Sequence, residues 1–139
     1  MKKILYYAFF AGILFFGCQS DDENNDPETT ITSFSGTIQY ENGEPVTGGE
    51  LIIAGNQSTL FGGVAREGAI LTIDDGTFEV TLETEEEVTS YSILIDLLEN
   101  VFTFAEGLQC LPGNCRDFLP GDTYELSVIV PCSPDDCGR

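Results

Sequence analysis

Cysteine carries the most legible chemistry in this sequence. Cys110 and Cys115 enclose Leu-Pro-Gly-Asn, and Cys132 and Cys137 enclose Ser-Pro-Asp-Asp. The two pairs thus share one spacing, and each holds a proline among turn-forming residues. Thiols so placed pair as disulfides, hold a structural zinc ion as thiolates, or exchange with other thiols. The front of the chain bears on the choice. Lys2 and Lys3 precede an apolar and aromatic run over residues 4–16. That run is shorter than the roughly 20 residues a spanning helix needs, but it fits the core of a secretory signal. An exported chain meets an oxidising compartment, where an even set of cysteines reads as disulfides and zinc-holding thiolates are disfavoured. Neither pair is Cys-x-x-Cys, and only Arg116 is placed to depress a thiol pKa, so redox catalysis is set aside. Connectivity stays open. Two local loops satisfy the roughly 5.5 Å that a disulfide needs between Cα atoms, while cross-pairing would staple the C-terminal tail to the loop at 108–118.

Other chemistries are bounded by missing residue types. There is no His in the chain, and the only lysines are Lys2 and Lys3. Triads of the Ser-His-Asp or Cys-His kind are therefore impossible, and a chain that has shed its leader has no lysine for Schiff-base or Ser-Lys work. A carboxylate pair for glycoside hydrolysis needs only two acids across a cleft. With 24 Asp and Glu such a pair is always available and carries no specificity. No enzyme and no cofactor is expected. Asp74 and Asp75, followed by Gly76, are the candidate calcium ligands, with Asp135 and Asp136 as a second acidic pair. Both lack the alternating Asp-x-Asp-x-Asp-Gly spacing of a calcium loop, and both read as turns. Tyr91, Phe102 and Phe104 are candidate sugar-stacking rings, although aromatics on strands more often belong to a core.

Charge narrows the partners. Loss of the leader leaves Arg66, Arg116 and Arg139 against 24 carboxylates, a formal charge of −21. Nucleic acid is excluded, because phosphate binding depends on Lys and Arg. Loose attachment to anionic lipid is excluded for the same reason, so a membrane link has to be covalent.

Alternation of side chains supplies the elements that position these residues. Phe34, Gly36, Ile38 and Tyr40 alternate with Ser35, Thr37 and Gln39, as on a half-buried strand, and Asn42-Gly43 ends it in a turn. Residues 51–54 form a short apolar strand stopped by Gly55-Asn56; residues 57–68 have no settled structure. A strand over 69–73, the turn Asp74-Asp75-Gly76 and a strand over 77–82 read as a hairpin, with Phe78, Val80 and Leu82 inward and Thr77, Glu79, Thr81 and Glu83 outward. Glu85-Glu86-Glu87 reads as a solvated loop. Residues 91–98 read as a central strand apolar on both faces around Asp96, with a short helix as the competing reading, and 101–105 as another strand. Tyr124, Leu126, Val128 and Val130 line the inner face of the last strand, which Pro131 stops. These elements predict an all-β chain: a single antiparallel two-sheet β-sandwich of about seven strands. A signal-peptide helix and a disordered tether precede it. The expected organisation is a signal peptide over 1–17, an acidic tether over 18–31, the sandwich over 32–131 and a cysteine-bearing tail over 132–139.

Two resemblances add to this reading. Gly17-Cys18 after the apolar run resembles a bacterial lipoprotein signal, in which the cysteine thiol takes a diacylglycerol and becomes the first residue. Phe15 and Phe16 depart from its usual Leu and small residue. The acidic Gln-Ser-Asp-Asp-Glu after Cys18 resembles the export signal of surface lipoproteins of the Bacteroidetes group. Gly36-Thr37-Ile38, Asn42-Gly43-Glu44-Pro45-Val46, Thr72-Ile73-Asp74-Asp75-Gly76-Thr77-Phe78 and Leu119-Pro120-Gly121-Asp122-Thr123-Tyr124-Glu125-Leu126 resemble carboxypeptidase-regulatory-like or transthyretin-like β-sandwich modules. The interval from Phe78 to Tyr124 exceeds the short form of that family. The resemblances imply a lipid-anchored protein of the outer membrane, surface-exposed, attached through Cys18. The expected role is a non-catalytic binding or scaffolding accessory for an envelope protein or glycan. The alternatives are a carbohydrate-binding component of a glycan-uptake system, or a structural or adhesive envelope subunit.

Overall fold

The computed structural model describes residues 29–59, 62–84, 87–97, 100–103 and 106–131. Eight strands follow in order: β1 (Thr30–Tyr40), β2 (Glu50–Thr59), β3 (Gly62–Thr72), β4 (Thr77–Thr84), β5 (Val88–Leu97), β6 (Asn100–Phe102), β7 (Gln109–Leu111) and β8 (Thr123–Val130). They form two four-stranded sheets, β4-β1-β8-β7 and β3-β2-β5-β6, packed as a β-sandwich. All pairs are antiparallel except β1 with β8, which run parallel from Ser33 opposite Thr123 to Tyr40 opposite Val130.

The period-two pattern of β1, β4 and β8 produces their burial. Phe34, Ile38 and Tyr40, then Phe78 and Leu82, then Leu126, Val128 and Val130 lie in the core. The other sheet contributes Leu51, Ile53, Tyr91, Ile93, Ile95 and Leu97. Aromatic contacts tie the two layers together. The Phe34 ring stacks on Tyr124 at 5.2 Å and meets Tyr91 and Phe118 edge-on at 5.8 and 5.4 Å. Beside it, hydroxyls bridge the sheets: Thr32 Oγ1 lies 3.0 Å from Thr84 Oγ1, which lies 2.7 Å from the Tyr91 hydroxyl. Thr32 Oγ1 also accepts the Gly121 amide, so these buried oxygens are satisfied as burial requires.

Several expectations change. The turn at Asp74-Asp75-Gly76 exists, but it joins different sheets and makes no hairpin. Ile73 exchanges backbone hydrogen bonds with Gly48 and Gly49 at the entry to β2, while the Gly76 carbonyl accepts the Ile38 amide of β1. The chain therefore changes layers within four residues, and Ile73, 1 % exposed, fills the crossing. β2 does not stop at Gly55-Asn56, because Asn56 is bonded in place: its Nδ2 donates to Ser90 Oγ and Ser92 Oγ of β5. β3 begins at Gly62 instead of residue 69 and pairs along the whole of β2, with a bulge where Ile53 faces Ala69 and Ala54 faces Glu67. β6, Asn100–Phe102, overlaps the strand expected over 101–105 only at Val101 and Phe102, and β7 is an eighth strand.

Candidate binding surfaces

The two flanks of the sandwich are built differently. On one, β6 and β7 are three-residue edges, and the loop after β7 crosses from one sheet to the other. Cys110 stands in β7 opposite Val128, while the Cys115 carbonyl accepts the Ile93 amide of β5 at 2.8 Å. Phe118 then exchanges two backbone hydrogen bonds with Tyr91. The disulfide joins Cys110 to Cys115, with Cα atoms 5.0 Å apart and both residues fully buried. Of the two pairings left open by the spacing, the local one is present for this pair. Although the closed ring is short, its ends belong to different layers, so the bond clasps the sandwich along that flank. A tyrosine corner follows: the Tyr124 hydroxyl accepts the Leu119 amide at 2.7 Å and donates to the Leu119 carbonyl at 3.0 Å. Burial, ahead of the nearby Asp122 carboxylate, pushes the Tyr124 hydroxyl pKa upward.

On the opposite flank, the edges are β3 and β4, eleven and eight residues long, and among the described residues no strand pairs with their outer sides. Beside the turn between them is an open depression of ≈ 410 Å³ lined by Ser35, Thr72, Asp74, Asp75, Thr77, Phe78 and Glu79. The calcium candidates sit here. Asp75 Oδ1 is occupied by Thr77, which donates its hydroxyl at 2.6 Å and its amide at 2.9 Å. Those bonds, the hydroxyl's first, lower the Asp75 pKa. Its contribution to stability is therefore present above the carboxylate's unfolded value and lost as the pH falls through the folded one. Among the described residues no three carboxylate, thiol or imidazole side chains converge as a metal site would need. Through those two bonds Asp75 serves the turn, and Asp74 stands beside it.

The outer faces of the sheets also differ. The face of β4-β1-β8 is hydroxyl-rich, with Thr77, Thr37 and Ser127 in one row, Glu79, Ser35 and Glu125 in the next, and Thr81, Ser33 and Thr123 in a third. The face of β3-β2-β5 carries Ile70, Ile52 and Leu94 side by side. Exposed aliphatic residues elsewhere include Leu111 in the disulfide loop and Leu119 before the tyrosine corner.

Tyr91, proposed above as a sugar platform, is 2 % exposed, and Phe102 packs against the core. Phe104, Cys18, Cys132, Cys137, Asp135 and Asp136 lie outside the described residues, as does the apolar run over 4–16. Phe118 passed unnoticed in the sequence because Asp117, Pro120 and Gly121 mark its surroundings as a surface loop. The tyrosine five residues downstream of Leu119 was the available signal for that corner. No protein family, curated protein or solved structure matches this sequence.

Proposed function

We propose that this chain is a non-catalytic lipoprotein of the outer membrane, anchored through Cys18, whose sandwich binds or scaffolds another envelope component. The observation that carries the binding role is the asymmetry of the flanks. One is sealed by short strands, a disulfide and the tyrosine corner, while on the other no strand among the described residues pairs with the outer sides of two long edges, which leaves them open to a partner. Exposed edges are usually shortened, charged or covered, because they present unpaired amides and carbonyls to any extended chain. The leader, Cys18 and the acidic tether support attachment at a distance from the membrane. The absence of His from the sequence, and of Lys beyond the leader, supports a role without the nucleophilic chemistries those residues serve.

The structural or adhesive reading draws on the same edges. Against self-assembly stand Glu79 and Glu83 along β4 and a whole-chain charge of −19, both of which oppose a second copy. The carbohydrate-binding reading loses Tyr91 to the core.

Mass spectrometry of the native protein tests the anchor: the expected N-terminal peptide begins at an acylated Cys18, and an intact, unacylated leader refutes it. Benzophenone side chains placed singly at exposed positions, including Thr81 and Gln109, test binding in native membranes. Discrete protein adducts are expected, and absence of adducts at every position refutes the binding role.

A further inference from the structure

Ile52 of β2 stands opposite Ile70 of β3 and Leu94 of β5, so the three form one row across the outer face of their sheet. Ile70 is 48 % exposed, and at the far edge of the same face Val101 is 45 % exposed. A sheet face turned to water is ordinarily polar, as the opposite face here is. An aliphatic row on the outside marks a surface built to be covered.

The adjacent row gives the chemistry of the cover. Thr72, Glu50, Asp96 and Val101 lie side by side, about 7 Å from the apolar row at two residues' rise along the strands. Glu50 and Asp96 are direct cross-strand partners, an arrangement that destabilises a sheet when the charges are alike. With Gly49 and Thr72 they line a notch of ≈ 310 Å³. The floor has to be glycine, since a Cβ at Gly49 would collide with the Asp96 carbonyl and the Leu97 side chain. A notch walled by two acceptor-only carboxylates beside a hydroxyl matches an ammonium or guanidinium group.

We propose that this face docks another protein through a segment that places Lys or Arg in the Glu50–Asp96 notch and aliphatic side chains on the Ile70–Ile52–Leu94 row. The inference deepens the binding role proposed above and rests on it. With the proposed leader removed, the terminal segments left outside the described residues are poor occupants, because residues 19–28 and 132–139 contain no aliphatic side chain. A second copy is a poor occupant too, since two chains each at −19 would oppose carboxylates to carboxylates. Charge complementarity therefore selects a cationic, partly apolar partner.

The test uses the full chain in native membranes, with benzophenone replacing Ile70 or Val101 in turn and Thr81 on the opposite sheet as reference. The expected result is one protein adduct at Ile70 and Val101 whose cross-linked peptide holds Lys or Arg beside aliphatic residues. In the Glu50→Gln/Asp96→Asn background its yield falls about tenfold, the effect of losing two partly exposed charge contacts. Melting of that variant stays level or rises, because a like-charge pair has gone. An adduct with lipid or with a second copy overturns the proposal, and so does a yield indifferent to the two substitutions. Adducts at Thr81 without any at Ile70 or Val101 refute this face and leave the binding role standing. Absence of adducts at all three positions overturns this face, and silence at Gln109 as well overturns the binding role with it.

Discussion

Replacing Cys110 and Cys115 together by alanine separates two descriptions of the disulfide. Its bonded partners are five residues apart. Treated only as a restraint on the unfolded chain, a ring this small is worth about 2 kcal/mol on the chain-entropy relation. Both residues are fully buried, so removing two sulfurs from the core adds about 1 kcal/mol of lost packing. Alanine is the appropriate replacement, because serine would bury an unsatisfied hydroxyl. The expected global loss is therefore about 2–3 kcal/mol, or a melting point lower by on the order of 10 °C. The entropic description stops there. The structure adds a local consequence, since the loop beyond the disulfide pairs with the free side of β5: Ile93 donates to the Cys115 carbonyl and Tyr91 to that of Phe118. With the clasp removed, those two amides become exchangeable by opening of the flank alone. The intervening amides of Ser92 and Leu94 point towards β2 and keep their protection until global unfolding. Urea titration combined with native-state hydrogen exchange reads both quantities. If the double variant loses stability while Tyr91 and Ile93 exchange no faster than Ser92 and Leu94, the bond is a local ring and the inter-sheet clasp is refuted.

Other substitutions probe the remaining supports. Gly36 has φ +151°, and a Cβ there would overlap the Leu126 carbonyl oxygen across the parallel β1–β8 pair. Gly36→Ala should cost at least about 3 kcal/mol, measured by chemical denaturation, and a near-neutral result would contradict the parallel register. Thr84→Val removes the middle of the Thr32–Thr84–Tyr91 hydroxyl chain and should cost about 1–3 kcal/mol. A double-mutant cycle with Tyr91→Phe should give coupling of about 1 kcal/mol, and zero coupling would disprove the link. Tyr40 and Tyr124 both have raised pKa values, burial being the first cause for each. The native state thus holds their protons more tightly than the unfolded chain does. Stability should fall as the pH rises through 10 and beyond, with tyrosinate absorbance lagging behind that of free tyrosine. Tyr124→Phe should weaken that alkaline dependence and, by deleting the corner, cost about 1–2 kcal/mol at neutral pH.

Local chemistry was legible where a residue's neighbours along the chain sufficed. Strict alternation marked β1, β4 and β8, because a strand with one wet face repeats every two residues, and Asn42-Gly43 and Asp74-Asp75-Gly76 were correctly turns. Two sheets followed from the number of such strands and the lack of a convincing amphipathic helix. The destination of a turn was not legible. Asp75 and Gly76 satisfy the backbone equally in a hairpin and in a crossing between layers, and the choice fell to Ile73, whose burial and bonds to Gly48 and Gly49 tie it to the second sheet. Gly55 and Asn56 resembled a strand end only until Ser90 and Ser92 arrived from 34 and 36 residues away to satisfy the amide.

The candidate surface divides along the same line. Residue types alone established a histidine-free and strongly anionic chain with paired cysteines, and these properties follow from composition and spacing. Ile52, Ile70 and Leu94 each look like core residues in one dimension. Only strand order and register put them in a row on the outside, because which face of a strand meets water is decided by what packs against the other face.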